Sequence, residues 1–271
     1  MLKIAVLDMY QGEPNQGMRC IKEILENFAE TEVPDLRVDF FDVRSKAQVP
    51  DLSYDVYISS GGPGSPLLSD EVWEHRFFDW FDSVVRYNRQ ESRKKYVFLI
   101  CHSFQMVSRH VGIGTVKKRR STSFGTFPIH KTHDGQVEPF FEALPDPFWA
   151  VDSRDYQLVE ANFQRIEQIG AKVLCREKIR PHVPLERAIM AVRFTPEIFG
   201  TQFHPEADSM GMSYHFSKPE VREKVIHNHG EAKLNDMIEH LNDPEKILLT
   251  ESVILPTFLR TAAEHLMGEL V

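Results

Sequence analysis

Short apolar runs alternate with amphipathic stretches over the first hundred residues. Lys3 to Asp8 is an apolar run ending on an acid, the pattern of a strand buried on both faces. After a loop holding Gly12, Pro14 and Asn15, the residues Met18, Ile21, Leu25 and Phe28 share one face of a helix. Leu36 to Val43 and Tyr54 to Ser59 are predicted as the next strands. Trp73, Phe77, Trp80, Phe81 and Val84 make a second helical stripe and read as core. Ser69 is its predicted N-cap, with Asp70 and Glu71 in the first turn. Tyr96 to Ile100 is a fourth strand, and Cys101 stands at its end. This alternation predicts an α/β fold, an open and mostly parallel sheet flanked by helices with right-handed crossovers.

The middle of the chain is harder to pattern. Thr115 to Val183 reads as turn-rich, with a short helix near Glu160 to Ile169. Ala188 to Phe194 and Ile198 to Phe203 then predict a β-hairpin around Thr195, Pro196 and Glu197. From Ser209 the character changes, and Pro219 to Asn228, Glu231 to Leu241 and Pro256 to Leu266 read as helices. The division expected is a domain over 1–208 and a C-terminal helical extension over 209–271, packed on that domain or at a homo-oligomer interface.

Composition narrows the field. The chain has 271 residues, 42% hydrophobic and 27% charged, enough to bury a core without covalent staples. Its net charge of −8 argues against a nucleic-acid partner. The basic run Lys117 to Arg120 is expected to be a solvated loop. Cys20, Cys101 and Cys175 are far apart, which predicts no disulfide framework and a reducing compartment. The opening MLKIAVLDMY reads as a strand rather than a leader peptide. No apolar run approaches the roughly 18–20 residues of a membrane span. A cytoplasmic location without membrane partner is expected. His227 and His229 would make a metal pair only in an extended segment, so no metal and no cofactor are expected.

Three segments carry candidate chemistry, and each alone has a plain reading. Ser60-Gly61-Gly62-Pro63-Gly64-Ser65 follows a strand, and its glycines let backbone N–H groups point outward, as in an oxyanion hole. A simple turn uses the same residues. Cys101 sits at a strand-to-helix junction, where the next N–H, from His102, would face a developing oxyanion. A buried core thiol is the alternative. In Gly200-Thr201-Gln202-Phe203-His204-Pro205-Glu206, residues two apart on an extended chain share a face, so Glu206 can orient the His204 ring. A cysteine, a histidine and an orienting acid are what thiol nucleophilic catalysis requires. Ligands of open α/β sheets bind beyond the carboxyl ends of the strands, where the glycine loop and Cys101 both fall.

Together these segments resemble the class I, triad-type glutamine amidotransferase superfamily, above all stand-alone GMP-synthase-type amidotransferase domains. SGGPGSP is similar to the family's oxyanion loop, ICHSFQ to its nucleophile segment and GTQFHPE to its histidine–acid signature. The resemblance covers roughly residues 1–208. It implies a flavodoxin-like fold, with Cys101 as nucleophile, His204 as base and then acid, and Glu206 as the orienting carboxylate. It also implies an oxyanion hole from the N–H groups of Gly62 and His102, with Gly61 and Gln105 near the substrate. The implied reaction is thioester-mediated hydrolysis of the γ-amide of glutamine, and the implied partner is a separate synthetase that accepts the ammonia.

The chain departs from the family at the elbow, where Leu99 and Ser103 stand in place of glycines. It departs again in FWAVDSRDY, where Asp152 occupies the place of a family histidine. The roughly 60 residues after Glu206 fall short of the ~100 of a synthetase domain, and the chain has no P-loop. Two other readings stay open: a γ-glutamyl hydrolase or peptidase acting on γ-glutamyl amines or peptides, and a catalytically degenerate scaffold. The side chain of His102 is expected at the surface or in the pocket wall, and Asp8 and Tyr10 near the same crevice.

Overall fold

The computed structural model describes residues 1–241 and 243–268. The chain runs β1 (Leu2–Asp8), α1 (Gln16–Thr31), β2 (Leu36–Asp42), α2 (Val43–Lys46), β3 (Val56–Ser59), α3 (Val72–Gln90), β4 (Tyr96–Ile100) and α4 (His102–Val111). It continues with β5 (Thr115–Lys131), α5 (His133–Gln136), β6 (Phe148–Val159), α6 (Phe163–Ile169), β7 (Lys172–Arg176), β8 (Ile189–Thr195) and β9 (Ile198–Thr201). The helices α7 (Ser209–Ser217), α8 (Pro219–His229), α9 (Glu231–Leu241) and α10 (Leu249–Gly268) follow.

The strands form one nine-stranded sheet in the order β2-β1-β3-β4-β9-β8-β7-β5-β6. Pairing is parallel from β2 through β9 and antiparallel beyond. Side-chain alternation divides the core between the two faces. Ile4, Val6, Ile58 and Phe98 pack under α1 and α10, with Phe258 of α10 set 5.1 Å from the Phe98 ring. Ala5, Leu7, Tyr57 and Leu99 pack under α3 and α4, where Trp73, Phe77 and Trp80 confirm the predicted stripe. A smaller core joins α7, α8 and α9 to β6 through Val151, Met212, Phe216, Val225 and Leu234. Among the described residues no helix is long and apolar enough to cross a membrane.

Several expectations are corrected. The segment read as turn-rich contains β5 and β6, of 17 and 12 residues, paired antiparallel. Its alternation is obscured because the register shifts between Lys118 and Ser123, so the residues between them leave the ladder. The basic run is assigned to strand, not loop, and Arg119, partly buried, pairs with the buried Glu177 at 3.1 Å. The residue capping α3 is Glu71, not Ser69. The Ser69 N–H and hydroxyl bond instead to Glu74 Oε2 at 2.7 and 2.6 Å, drawing Ser69 out of the cap. Pro256 lies inside α10 rather than at its start, because Ile254 and Leu255 before it are already buried in the core.

Sheet order is what positions chemistry. β3, β4 and β9 are neighbours, so the glycine loop, Cys101 and the His204 segment leave the sheet at adjacent carboxyl ends.

Candidate active site

Cys101 has φ 47° and ψ −94°, a left-handed backbone that a non-glycine residue adopts only under strain. The elbow is held from both sides. Cys101 donates its N–H to Thr201 O at 2.7 Å, and its carbonyl accepts the Gln105 N–H at 3.0 Å in the first turn of α4. The two departures from the family pattern have local explanations. The Ser103 hydroxyl accepts the Ile100 N–H at 3.0 Å and reaches the carbonyl of Ser59 at 2.9 Å, tying the ends of β3 and β4 together. Leu99 faces Gly200 across the β4–β9 ladder. A Cβ on Gly200 would lie 2.8 Å from the Phe104 ring and 3.3 Å from Leu99 Cβ, so the leucine occupies room that the glycine leaves.

His204 Nδ1 lies 2.8 Å from Glu206 Oε1, and the Glu206 side chain is 1% exposed. The His204 N–H is anchored on Val151 O of β6 at 2.8 Å. Burial works against a charged His204 ring. The Glu206 carboxylate and the Cys101 sulfur outweigh it, and the pKa of His204 is raised well above its ordinary value. A Cβ on Gly61 would stand 2.8 Å from His204 Cε1 and 3.6 Å from Cys101 Cβ, so this glycine lets the loop lie against thiol and imidazole together. Arg44, stacked over Trp73 at 5.1 Å, holds that loop by hydrogen bonds to Met9 O and Pro63 O.

The remaining predicted residues fall as follows. Gly62, His102 and Gln105 line the same cavity as Cys101 and His204. His102 lines that wall as a residue, while its side chain is only 2% exposed and is not a surface group. Burial, reinforced by Arg44 and Arg109 and opposed by Glu74, pushes its pKa down to about 3, which leaves it a neutral ring. Gln105 is buried, donating to Tyr156 O at 3.0 Å and to Gln202 Oε1 at 2.7 Å. Gln202 in turn donates to Cys101 Sγ at 3.5 Å. Sequence reasoning passed over Gln202, although it stands two residues before His204 and so on the same face of the extended segment. Asp152 is held by Arg154 and by the Ser123 hydroxyl at 2.7 Å, in a buried network that includes Glu177. That network fixes β6, and the Ser153 carbonyl accepts from Cys101 Sγ at 3.7 Å. Tyr10 lines the cavity, and burial, with Glu206 and Cys101 nearby, raises its pKa well above the ordinary tyrosine value. The Asp8 carboxylate accepts the Tyr10 N–H at 2.8 Å.

The cavity measures about 970 Å³. A more open groove of about 780 Å³, with Phe40 and Trp80 in its walls, lies along β2 and α3, away from these residues. A sulfur at a strained elbow beside an imidazole that a buried carboxylate orients is the arrangement that thiol nucleophilic catalysis requires.

The fold has solved relatives. A glutamine amidotransferase from Thermotoga maritima superposes with a TM-score of 0.64 at 15% identity, covering 98% of this chain and 97% of that one. The glutaminase domain of CTPS from Trypanosoma brucei, solved with bound acivicin, gives 0.59 at 13% identity, covering 97% and 94%. A GMP-synthase-type protein from Thermoplasma acidophilum gives 0.52 at 19% identity, covering 79% and 96%. These likenesses establish the fold. No curated protein sequence matches the chain. The family model for glutamine amidotransferase class I matches residues 16–223, and the chain belongs to that family.

Proposed function

We infer that the protein hydrolyses the γ-amide of glutamine-type substrates through a thioester on Cys101. The observation that carries this reading is the Cys101 elbow, set beside a His204 ring that Glu206 holds at 2.8 Å. The Cys101 thiolate attacks the γ-carbonyl carbon, and the N–H groups of Gly62 and His102 receive the developing oxyanion. The C–N bond breaks, and the leaving nitrogen takes a proton from the His204 imidazolium. Water then gives a proton to His204 and cleaves the thioester, releasing glutamate and restoring the thiolate beside the imidazolium. His102, a neutral buried ring, supplies its backbone rather than its side chain. Gln105 and Gln202 act behind the sulfur and fix its position. With glutamine the product is ammonia, and a separate synthetase is the partner that would use it.

The test is covalent labelling with an electrophilic glutamine analogue, read by intact mass on the full chain. One label is expected, and none on Cys101→Ala. Cys20 stays silent because burial pushes its thiol up to about 12, and Cys175 is raised well above its ordinary value for the same reason. An unlabelled wild-type protein, folded and reduced, overturns the reading.

A further inference from the structure

We propose that the crevice takes γ-glutamyl amides whose amine carries an apolar alkyl or aryl group, and that α7 and α8 bind that group. The proposal rests on the reading of Cys101 as nucleophile and adds the substrate class.

The cavity of about 970 Å³ lies at the upper end of the range for drug-sized ligands, and glutamine is smaller than such ligands. Its walls are also of the wrong kind for glutamine alone. Phe124, Val151, Met212, Val221 and Val225 line it. The same residues belong to the core that joins α7, α8 and α9 to β6. Phe124 and Val221 are the partly exposed members of that core, and they share the cavity with Cys101. The apolar wall begins beside the reacting groups, because Val151 is the residue whose carbonyl anchors His204 at 2.8 Å. Two residues on, the Ser153 carbonyl meets Cys101 Sγ at 3.7 Å. Ammonia needs no apolar wall, and the short methylene chain of glutamine cannot cover this one. An alkyl or aryl group on the amine covers it.

The chemistry is that of the parent reaction. Thiolate adds to the γ-carbonyl carbon, the C–N bond breaks and the amine leaves with a proton from His204. Water cleaves the thioester to glutamate, with no oxidant and no other reactant.

The experiment compares kcat/KM of the full chain for glutamine and for its γ-methylamide, γ-butylamide and γ-benzylamide, from glutamate released. A hydrophobic pocket discriminates about 10–200-fold per methylene. The butyl and benzyl amides are therefore expected to exceed glutamine at least about tenfold, with the methylamide between. In Val221→Asn this advantage shrinks. Met212→Gln is the second variant, and each is admitted only if its thermal midpoint stays near wild type. Glutamine turned over as fast as the apolar amides, or faster, overturns the proposal and leaves the nucleophile reading standing. A hydrolase needs no acceptor protein, so silence toward every amide overturns the proposal as well. Labelling of Cys101 by the glutamine analogue then decides whether the nucleophile reading survives.

Discussion

Replacing Ser103 by alanine removes a hydroxyl that is fully buried and bonded on two sides. The Ile100 N–H at 3.0 Å then loses its acceptor inside the sheet. Leaving one buried donor unsatisfied costs about 1–3 kcal/mol, whereas the Ser59 carbonyl, with two lone pairs, suffers less. Ser103→Ala is expected to lose about 1–3 kcal/mol, a fall of roughly 2–12 °C in Tm for a chain of this size. Ser103→Gly restores the residue usual in the family yet is expected to fall further, by about 0.5–1 kcal/mol, because glycine is costly within a helix. Urea and thermal unfolding followed by circular dichroism measure both. The same hydroxyl couples the glycine loop to the nucleophile elbow, so both variants should also lose rate. The reasoning is refuted if Ser103→Ala unfolds within about 0.5 kcal/mol of wild type, or if Ser103→Gly is the more stable variant.

Gly61→Ala places a methyl 2.8 Å from His204 Cε1. Since a displacement of about 1 Å costs about 10²-fold, kcat/KM should drop by that order while the protein stays folded; an unchanged rate contradicts the packing. Glu206→Gln removes the strongest charge supporting the His204 imidazolium. The alkaline limb of the pH–rate profile should move to lower pH, and a stationary limb would assign it to another group. Glu251, half-buried on α10, has its pKa raised to about 7 by burial and then by Asp208, with Arg19 opposing. The folded state therefore holds a proton that the unfolded chain releases, and stability falls as pH rises from about 4.5 to about 7. The full displacement is worth about 3 kcal/mol, and solvent screening of a half-exposed group reduces it to about 1 kcal/mol. Glu251→Gln should gain that amount at pH 8 and nothing at pH 4, by urea melts at both.

The parallel half of the fold was legible because its strands are short apolar runs and its helices carry one apolar face. The register of Leu99 opposite Gly200 was not, since a strand's partner is chosen by the whole sheet. β5 and β6 hid for a related reason. Their polar residues are satisfied within the fold, Arg154 of β6 by Asp152 and Arg119 of β5 by Glu177 just after β7, and such an ion network looks like surface in a sequence. Cys101, His204 and Glu206, which the fold brings together, could be singled out as candidates because thiol chemistry restricts residue type and spacing. Gln202 could not, because an amide two residues from a histidine is chemically unremarkable until the sheet brings it to the sulfur.

The adjacency of β4 and β9 has a consequence for the growing chain. Gln202, which touches the thiol, follows Cys101 by 101 residues. At about 5–20 residues per second, the ribosome makes the cysteine many seconds before its imidazole. Strand β9 enters the sheet between β4 and β8, so the edge of β4 stays open throughout that interval. A half-made chain thus carries the sulfur without the imidazole, and the two meet only when a late strand slots into the middle of an older sheet.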